Sequence, residues 1–297
     1  LIVRLTLIDT LLKLIYNDTE YIIGIMMRYN LKASQKSFEA IDASREYYID
    51  SNDLLNMYND KCFGGFLVVK NVFSHEIIDS LRSQYFSMFD GDYTYDGKDW
   101  THVKNLQSRH GVGSHPANIF VKSKPFCDFI QSDILKRLAA VLLNSEQSVL
   151  CPRAILRSFS HFSSRCTLAH RDGEYFRVKD NTKAITAWVP IGPADIQHGQ
   201  LVYLKNSHKN IETISPLVKE DRTIASDLKS LENQLKTTWQ LPNVSKGDVV
   251  FHCLNSVHAS FDTNNMIPRL SCDLRFASST EYLDPNWSTY WRGDDGL

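Results

Sequence analysis

The sequence predicts a mainly β domain with flanking helices, of the jelly-roll or barrel kind, on three observations. From about residue 150 the chain breaks into short runs of β-forming residues bounded by turn residues: Ala184 to Pro190, Gln200 to Leu204 and Asp248 to Cys253. Leu270 to Phe276 alternates with period two, setting Leu270, Cys272, Leu274 and Phe276 on one face and Ser271, Asp273 and Arg275 on the other. The connections between these runs are polar, which favours a jelly roll or barrel over a parallel sheet.

The helices flank this core. Ser74 is an N-cap candidate, with Glu76 in the first turn and Ile77, Leu81, Tyr85 and Met88 at helical spacing behind it. Pro125 suits the first position of a second helix, whose apolar stripe runs from Phe126 to Leu142 and stops at Asn144. Residues 1–28 read as an amphipathic helix packed on the body, with an N-terminal anchor as the alternative, because Arg4, Asp9, Lys13, Asp18 and Glu20 break the run before it reaches the roughly 20 apolar residues a membrane span needs. One domain is therefore expected over 1–297, with a helical region at about 1–60, a jelly-roll core at about 62–280 and a helical insertion at about 209–238, in which Asp227 to Leu235 forms a helix. Gly91 to Ile119 has no clear period but carries many aromatics, glycines and histidines, the texture of a lid or pocket wall.

Composition excludes several partners. Lys and Arg total 33 against 34 Asp and Glu, a net charge of -1, so the basic footprint of a nucleic-acid or anionic-membrane binder is missing. The hydrophobic fraction of 43% and mean hydropathy of -0.28 are ordinary for a globular protein. Six cysteines (Cys62, Cys127, Cys151, Cys166, Cys253 and Cys272) form no CxxC pair, and read as reduced packing thiols of a cytoplasmic protein.

The chemistry is concentrated at three stations: His170-Arg171-Asp172, His258 and Arg269. Two imidazoles and one carboxylate form the facial set that holds non-haem Fe(II) with open coordination positions. With 10 His and 24 Asp in the chain, roughly one His-x-Asp is expected by chance, so the tripeptide alone carries no information. Context supplies it. A His and an Asp two apart after a strand-like run (Ile155 to Phe162) can face one barrel mouth. His258 enters from another strand after the Gly247-Asp248 turn, and Arg269 opens the next strand 11 residues later.

The stretch from His170 to Phe276 resembles the phytanoyl-CoA dioxygenase family of Fe(II)/2-oxoglutarate oxygenases. HRDGEYF, TAWVPIG with Trp188 18 residues after His170, HGQLVYLKNSHK, and GDVVFHCLNSVHAS followed by PRLSCDLRF keep that family's order of motifs. Asn206 stands where the family's run has a second glycine. The resemblance implies a double-stranded β-helix (jelly roll, cupin-like) and a metal set of His170, Asp172 and His258. It also implies 2-oxoglutarate and O2 as co-substrates, Arg269 on the far carboxylate of 2-oxoglutarate, Ser260 adding a hydroxyl there, and Trp188 walling the pocket. A further basic or amide contact upstream of the metal motif is open between His115, Asn118, Lys122 and Arg157; Arg157, on the strand leading to His170, is favoured. Arg171 should point away from the metal. Because Asp172 keeps the carboxylate that halogenases of this class lack, hydroxylation or a related oxidation of a small molecule is expected. The alternatives are a His2Asp zinc hydrolase, which would leave Arg269 and Ser260 without a role, and a non-catalytic jelly-roll scaffold. Tyr93, Tyr95, Trp100, His102, Arg109 and His110 of the candidate lid, with Trp287, Tyr290, Trp291 and Arg292 of the tail, point to a small polar substrate with an apolar part; they do not name it.

Overall fold

The period-two alternation along the last strand is what divides the molecule into layers. The structure is a computed structural model, and it describes residues 26–31, 38–42, 65–89, 91–104, 115–162, 166–176, 182–281 and 284–292. In chain order the strands are β1 (Met26–Leu31), β2 (Phe38–Asp42), β3 (Phe66–Val69), β4 (Tyr93–Tyr95), β5 (Trp100–His102), β6 (Ser148–Leu150), β7 (Ile155–Phe159) and β8 (Ala169–His170). They continue with β9 (Ala184–Pro190), β10 (Leu201–Leu204), β11 (Thr223–Ala225), β12 (Trp239–Pro242), β13 (Val249–Cys253), β14 (His258–Ser260) and β15 (Arg269–Ser278).

Two antiparallel sheets make the jelly roll. One has the order β11-β8-β14-β10-β12-β1-β2; the other runs β3-β13-β9-β15-β6, with β7 also paired to β15. Leu270, Cys272, Leu274 and Phe276 face the largest core, where the helices His75–Phe86, Lys124–Ile130 and Asp133–Leu142 cover the second sheet. The opposite face of β15, with Arg269, Asp273 and Arg275, lines the interior between the sheets. A smaller apolar cluster there, including Phe66, Val68, Trp188, Leu201, Tyr203 and Val250, holds the two sheets together. The first sheet alternates likewise: Ala169, Val202, Leu204, Trp239, Leu241 and Ala259 pack outward on the insertion, with Ile214 and Leu231.

Four expectations change. Within the 1–60 region expected to be helical, the described residues are strands: β1 pairs with β12 and with β2. The free backbone groups of a sheet edge give a strand partners that local propensity does not foresee; residues 1–25 of the expected amphipathic helix lie outside the described residues. The helix after Ser74 does form, and the Ser74 hydroxyl accepts from the Ile77 N–H. Its buried face is Ile78, Leu81, Arg82, Tyr85 and Phe86: Leu81 and Tyr85 of the expected stripe are buried and Met88 packs on the core, but Ile78 takes the place of Ile77, which is 47% exposed. The second helix is two, broken at Gln131–Ser132, where Ser132 takes the N-cap position and Asp133 the first turn. The insertion contains the helix Leu228–Leu235, capped by Asp227, and also a strand, β11, which pairs with β8 beside His170.

The described parts of the expected lid are the β4–β5 hairpin, with Tyr93 and Trp100 packed against the main core and Tyr95 exposed, and the start of the helix Pro116–Phe120, whose Ala117 and Phe120 are in that core. Arg109 and His110 lie outside the described residues. No helix among the described residues is long and apolar enough to cross a membrane.

Candidate metal and co-substrate site

His170 and His258 come together because β8 and β14 are neighbours with these two residues in direct register. Asp172 opens the short helix Asp172–Phe176 that follows β8, so the chain turns just after His170 and carries the carboxylate back over the sheet. Asp172 Oδ1 lies 3.7 Å from His170 Nε2 and 3.9 Å from His258 Nε2, and all three ligand atoms lie within 4.8 Å of one another. A metal about 2.1 Å from three mutually cis donors sets them about 3 Å apart, so modest side-chain torsions close the set around an ion.

The imidazoles are in the tautomer a metal needs. His170 Nδ1 is 2.8 Å from the Leu168 carbonyl and His258 Nδ1 is 3.0 Å from the Ser256 carbonyl. A carbonyl only accepts, so each Nδ1 carries the proton and each Nε2 presents its lone pair inward. Burial lowers both imidazoles from their ordinary range, and the neighbouring imidazoles deepen the fall for His258. Burial works to raise the Asp172 carboxyl, but the Arg275 guanidinium, the His252 hydrogen bond and the imidazoles outweigh it and hold it well below the usual carboxylate range. Neutral imidazoles with an ionised carboxylate are the protonation states of a loaded M(II) site.

Arg269 supplies the second half of the pocket. It is 1% exposed, donates to the Gly199 carbonyl and lies over the Phe159 ring at 4.3 Å, with the Trp188 ring at 5.8 Å. Among the described residues no carboxylate is within ion-pair distance, and Arg269 Nε has no hydrogen-bond partner. Burial pushes the guanidinium down to about 9. A buried cation of this kind is costly until an anion joins it, and a planar fork favours a carboxylate. The other nearby charges are already matched: Arg157 with Asp273 at 3.3 Å, and Arg275 with Asp172 at 3.1 Å. The residue left for a diacid is Arg269.

The remaining predicted residues fall as follows. Trp188 and Arg157 line the pocket together with Thr167, Leu201 and the triad. The Ser260 hydroxyl accepts the Thr167 N–H at 2.7 Å and does not itself line the pocket. Of the other upstream candidates, His115 caps a helix by accepting the Ala117 N–H, Asn118 is buried within that helix and Lys122 is exposed. Arg171 points away from the triad, to Glu174 and Ser215. Trp287 and Trp291 belong to the main core, while Tyr290 and Arg292 are exposed. Asn206, at the position of the absent glycine, has a φ of 57°, a left-handed conformation that asparagine tolerates, so the departure costs the turn little.

Sequence reading missed Thr186, His252 and Arg275. All three donate to Asp172: Arg275 Nη2 to Oδ1 at 3.1 Å, Thr186 Oγ1 to Oδ2 at 2.5 Å and His252 Nε2 to Oδ2 at 3.2 Å. The available signal was parity, since Thr186 is two residues from Trp188 and Arg275 is six from Arg269.

Two facing antiparallel sheets that aim two imidazoles, a carboxylate and an unpaired guanidinium into one pocket define a jelly-roll metal-site protein built to take an acidic co-substrate. The chain belongs to the phytanoyl-CoA dioxygenase (PhyH) family, whose model matches residues 64–270, and with it to the Fe(II)/2-oxoglutarate-dependent oxygenases. Solved structures agree in fold. The epimerase SnoN in complex with Fe3+, alpha ketoglutarate and nogalamycin RO is similar with a TM-score of 0.55 at 17% identity, over 80% of this chain and 88% of that one. EctD from S. alaskensis with 2-oxoglutarate and 5-hydroxyectoine gives 0.54 at 16% identity, over 91% and 87%. The carbocyclase SnoK from nogalamycin biosynthesis gives 0.53 at 16%, over 78% and 86%. A comparison with curated proteins found no match.

Proposed function

We propose that the protein hydroxylates an unactivated C–H bond of a small molecule, with His170, Asp172 and His258 as the Fe(II) ligands and Arg269 as the anchor of the 2-oxoglutarate C5 carboxylate. The observation that carries this reading is the buried Arg269 guanidinium, unmatched by any described carboxylate, in the same pocket as the triad. Bound Fe(II) supplies the oxidising chemistry, coupling decarboxylation of 2-oxoglutarate to succinate and CO2 with oxidation of the substrate by O2.

The chain's own residues bind, orient and exclude water. Arg269 fixes the far end of the diacid with a two-pronged hydrogen bond, and the Trp188 and Phe159 rings beside the guanidinium keep water from competing for it. The two backbone carbonyls hold the imidazole tautomers, so no proton must leave Nε2 when the metal enters. Asp172 would be the third protein ligand to Fe(II), beside His170 and His258. The carboxylate of Asp172, which a halide-binding site would lack, supports hydroxylation over halogenation. The structural neighbours include an epimerase and a carbocyclase, so the outcome after C–H activation is set by the substrate's position. A zinc hydrolase would leave Arg269 buried without an anion.

The test is turnover of 2-oxoglutarate by the purified protein with Fe(II), read as succinate, together with metal-dependent binding of 2-oxoglutarate. Asp172→Ala should cut even the uncoupled decay of 2-oxoglutarate by on the order of 100-fold or more. Failure of the unsubstituted protein to bind 2-oxoglutarate in the presence of metal overturns the reading.

A further inference from the structure

Behind the triad, three side chains on three adjacent strands converge on one carboxylate. His252 of β13 is the register partner of Thr186 of β9, and Thr186 is the register partner of Arg275 of β15. The three form one straight row across the inner face of the sheet, and each donates to Asp172. The division of labour is asymmetric. Oδ2 takes both Thr186 Oγ1, at 2.5 Å, and His252 Nε2, at 3.2 Å, while Oδ1 is the oxygen turned toward the two ligand imidazoles.

The row continues one residue deeper. His252 Nδ1 is 3.1 Å from the Tyr203 hydroxyl, and Tyr203 stacks on Phe66 at 4.3 Å in the core between the sheets. An ionised carboxylate only accepts, so the proton on His252 must sit at Nε2. Its Nδ1 must then accept from Tyr203, whose hydroxyl is a donor there. Tyr203, His252, Thr186 and Asp172 are all buried, so no water substitutes for a lost member.

We propose that His252 and Thr186 are positioning residues, with Tyr203 behind them: they tie up Oδ2 so that Asp172 can offer the metal only Oδ1. A free carboxylate can chelate through both oxygens and would then occupy a coordination position the co-substrate needs. With Oδ2 held by two donors, chelation costs two buried hydrogen bonds. The row would thus hold Asp172 to one-oxygen ligation. Arg275 donates to Oδ1 and neutralises the carboxylate, and the Trp287 ring lies 5.3 Å from its guanidinium carbon. This inference rests on the triad being the metal site.

The experiment is titration of Co(II) into the apo-protein, following affinity and the visible ligand-field bands, with apo-protein melting temperature as the control for folding. Thr186→Val and His252→Phe should weaken Co(II) binding about 10- to 100-fold and shift the bands, as loss of an outer partner of a metal ligand does. Thr186→Ser and His252→Gln, which can still donate, should stay within about threefold of the unsubstituted protein with its bands. Tyr203→Phe, which keeps the ring on Phe66, should weaken binding several-fold. Valine and phenylalanine variants that lose melting temperature but keep affinity and bands overturn the proposal. So do serine and glutamine variants that fall as far as the apolar ones, because packing would then be placing Asp172. Should His252→Phe not fold, the Thr186 pair and Tyr203→Phe decide on the same criteria. Absence of Co(II) binding in the unsubstituted protein sinks the metal site itself, and this inference with it.

Discussion

In the proposed function, Arg269 is the residue that makes a metal site into a site for a particular co-substrate. Its guanidinium is buried beside two aromatic rings, has one backbone acceptor and leaves Nε without a partner. Lysine would keep the charge but lose the planar fork. Arg269→Lys should therefore raise the KM for 2-oxoglutarate by about 10- to 100-fold, the loss of one hydrogen bond to a charged group, and leave Co(II) affinity nearly unchanged. Steady-state kinetics with 2-oxoglutarate varied, beside the metal titration, separates the two effects. Equal losses in both would mean that Arg269 supports the triad rather than the diacid.

At the scale of elements, the site depends on where strands begin. Gly199, just before β10, has a φ of 79°, and a Cβ there would stand 2.8 Å from the Phe261 carbonyl oxygen. Only glycine allows that turn, and the turn aims the Gly199 carbonyl at Arg269. Gly199→Ala should cost about 1–2 kcal/mol from the left-handed backbone alone, more if Phe261 cannot shift. It should also raise the KM for 2-oxoglutarate, with the metal site spared. Differential scanning calorimetry and the same kinetics check it; a variant with normal melting and normal KM would show that the turn relaxes freely. Elements are also where sequence reading was strongest and weakest. Period two along β15 separated its core face from its site face correctly, because a strand buried on both sides still sorts its polar residues to one parity. On the helix at His75–Phe86, Leu81 and Tyr85 are buried as expected but Ile77 is not, since Ile77 and Ile78 fit a helical stripe equally well and only packing against the core selects Ile78.

For the molecule as a whole, the tail and the metal site are one unit. Trp287 is in the main core, 4.5 Å from the Phe176 ring on the Asp172 helix and 5.3 Å from the Arg275 guanidinium carbon. The segment thus braces Asp172 from two sides, through the helix that carries it and the cation that neutralises it. Trp287→Ala should cost about 3–5 kcal/mol in stability and also weaken Co(II) binding by about two- to tenfold. Saturating metal, at about 100 times its Kd, should return about 2.7 kcal/mol, so the variant's melting temperature should depend on metal as the unsubstituted protein's does. A variant that is destabilised but binds Co(II) with unchanged affinity would confine Trp287 to the core.

By itself the sequence determined the kind of fold and singled out residues that meet in one pocket, His170, Asp172, His258 and Arg269. Short β-rich runs, the parity of Leu270 to Phe276 and the intervals between His170, Asp172, His258 and Arg269 are local or periodic features, and such features survive in one dimension. The tertiary structure alone decided which residues support them. Thr186, His252 and Arg275 are far apart in the chain and meet only because three strands pair in a particular register, and no spacing in the sequence encodes that register. The same holds for Met26–Leu31, paired on both sides, and for the edge strand Phe38–Asp42, where neighbouring strands supply hydrogen-bond partners that helical periodicity cannot anticipate. Ligands can be read from chemistry and interval; what holds a ligand in place depends on pairing between strands, and pairing is a property of the folded chain.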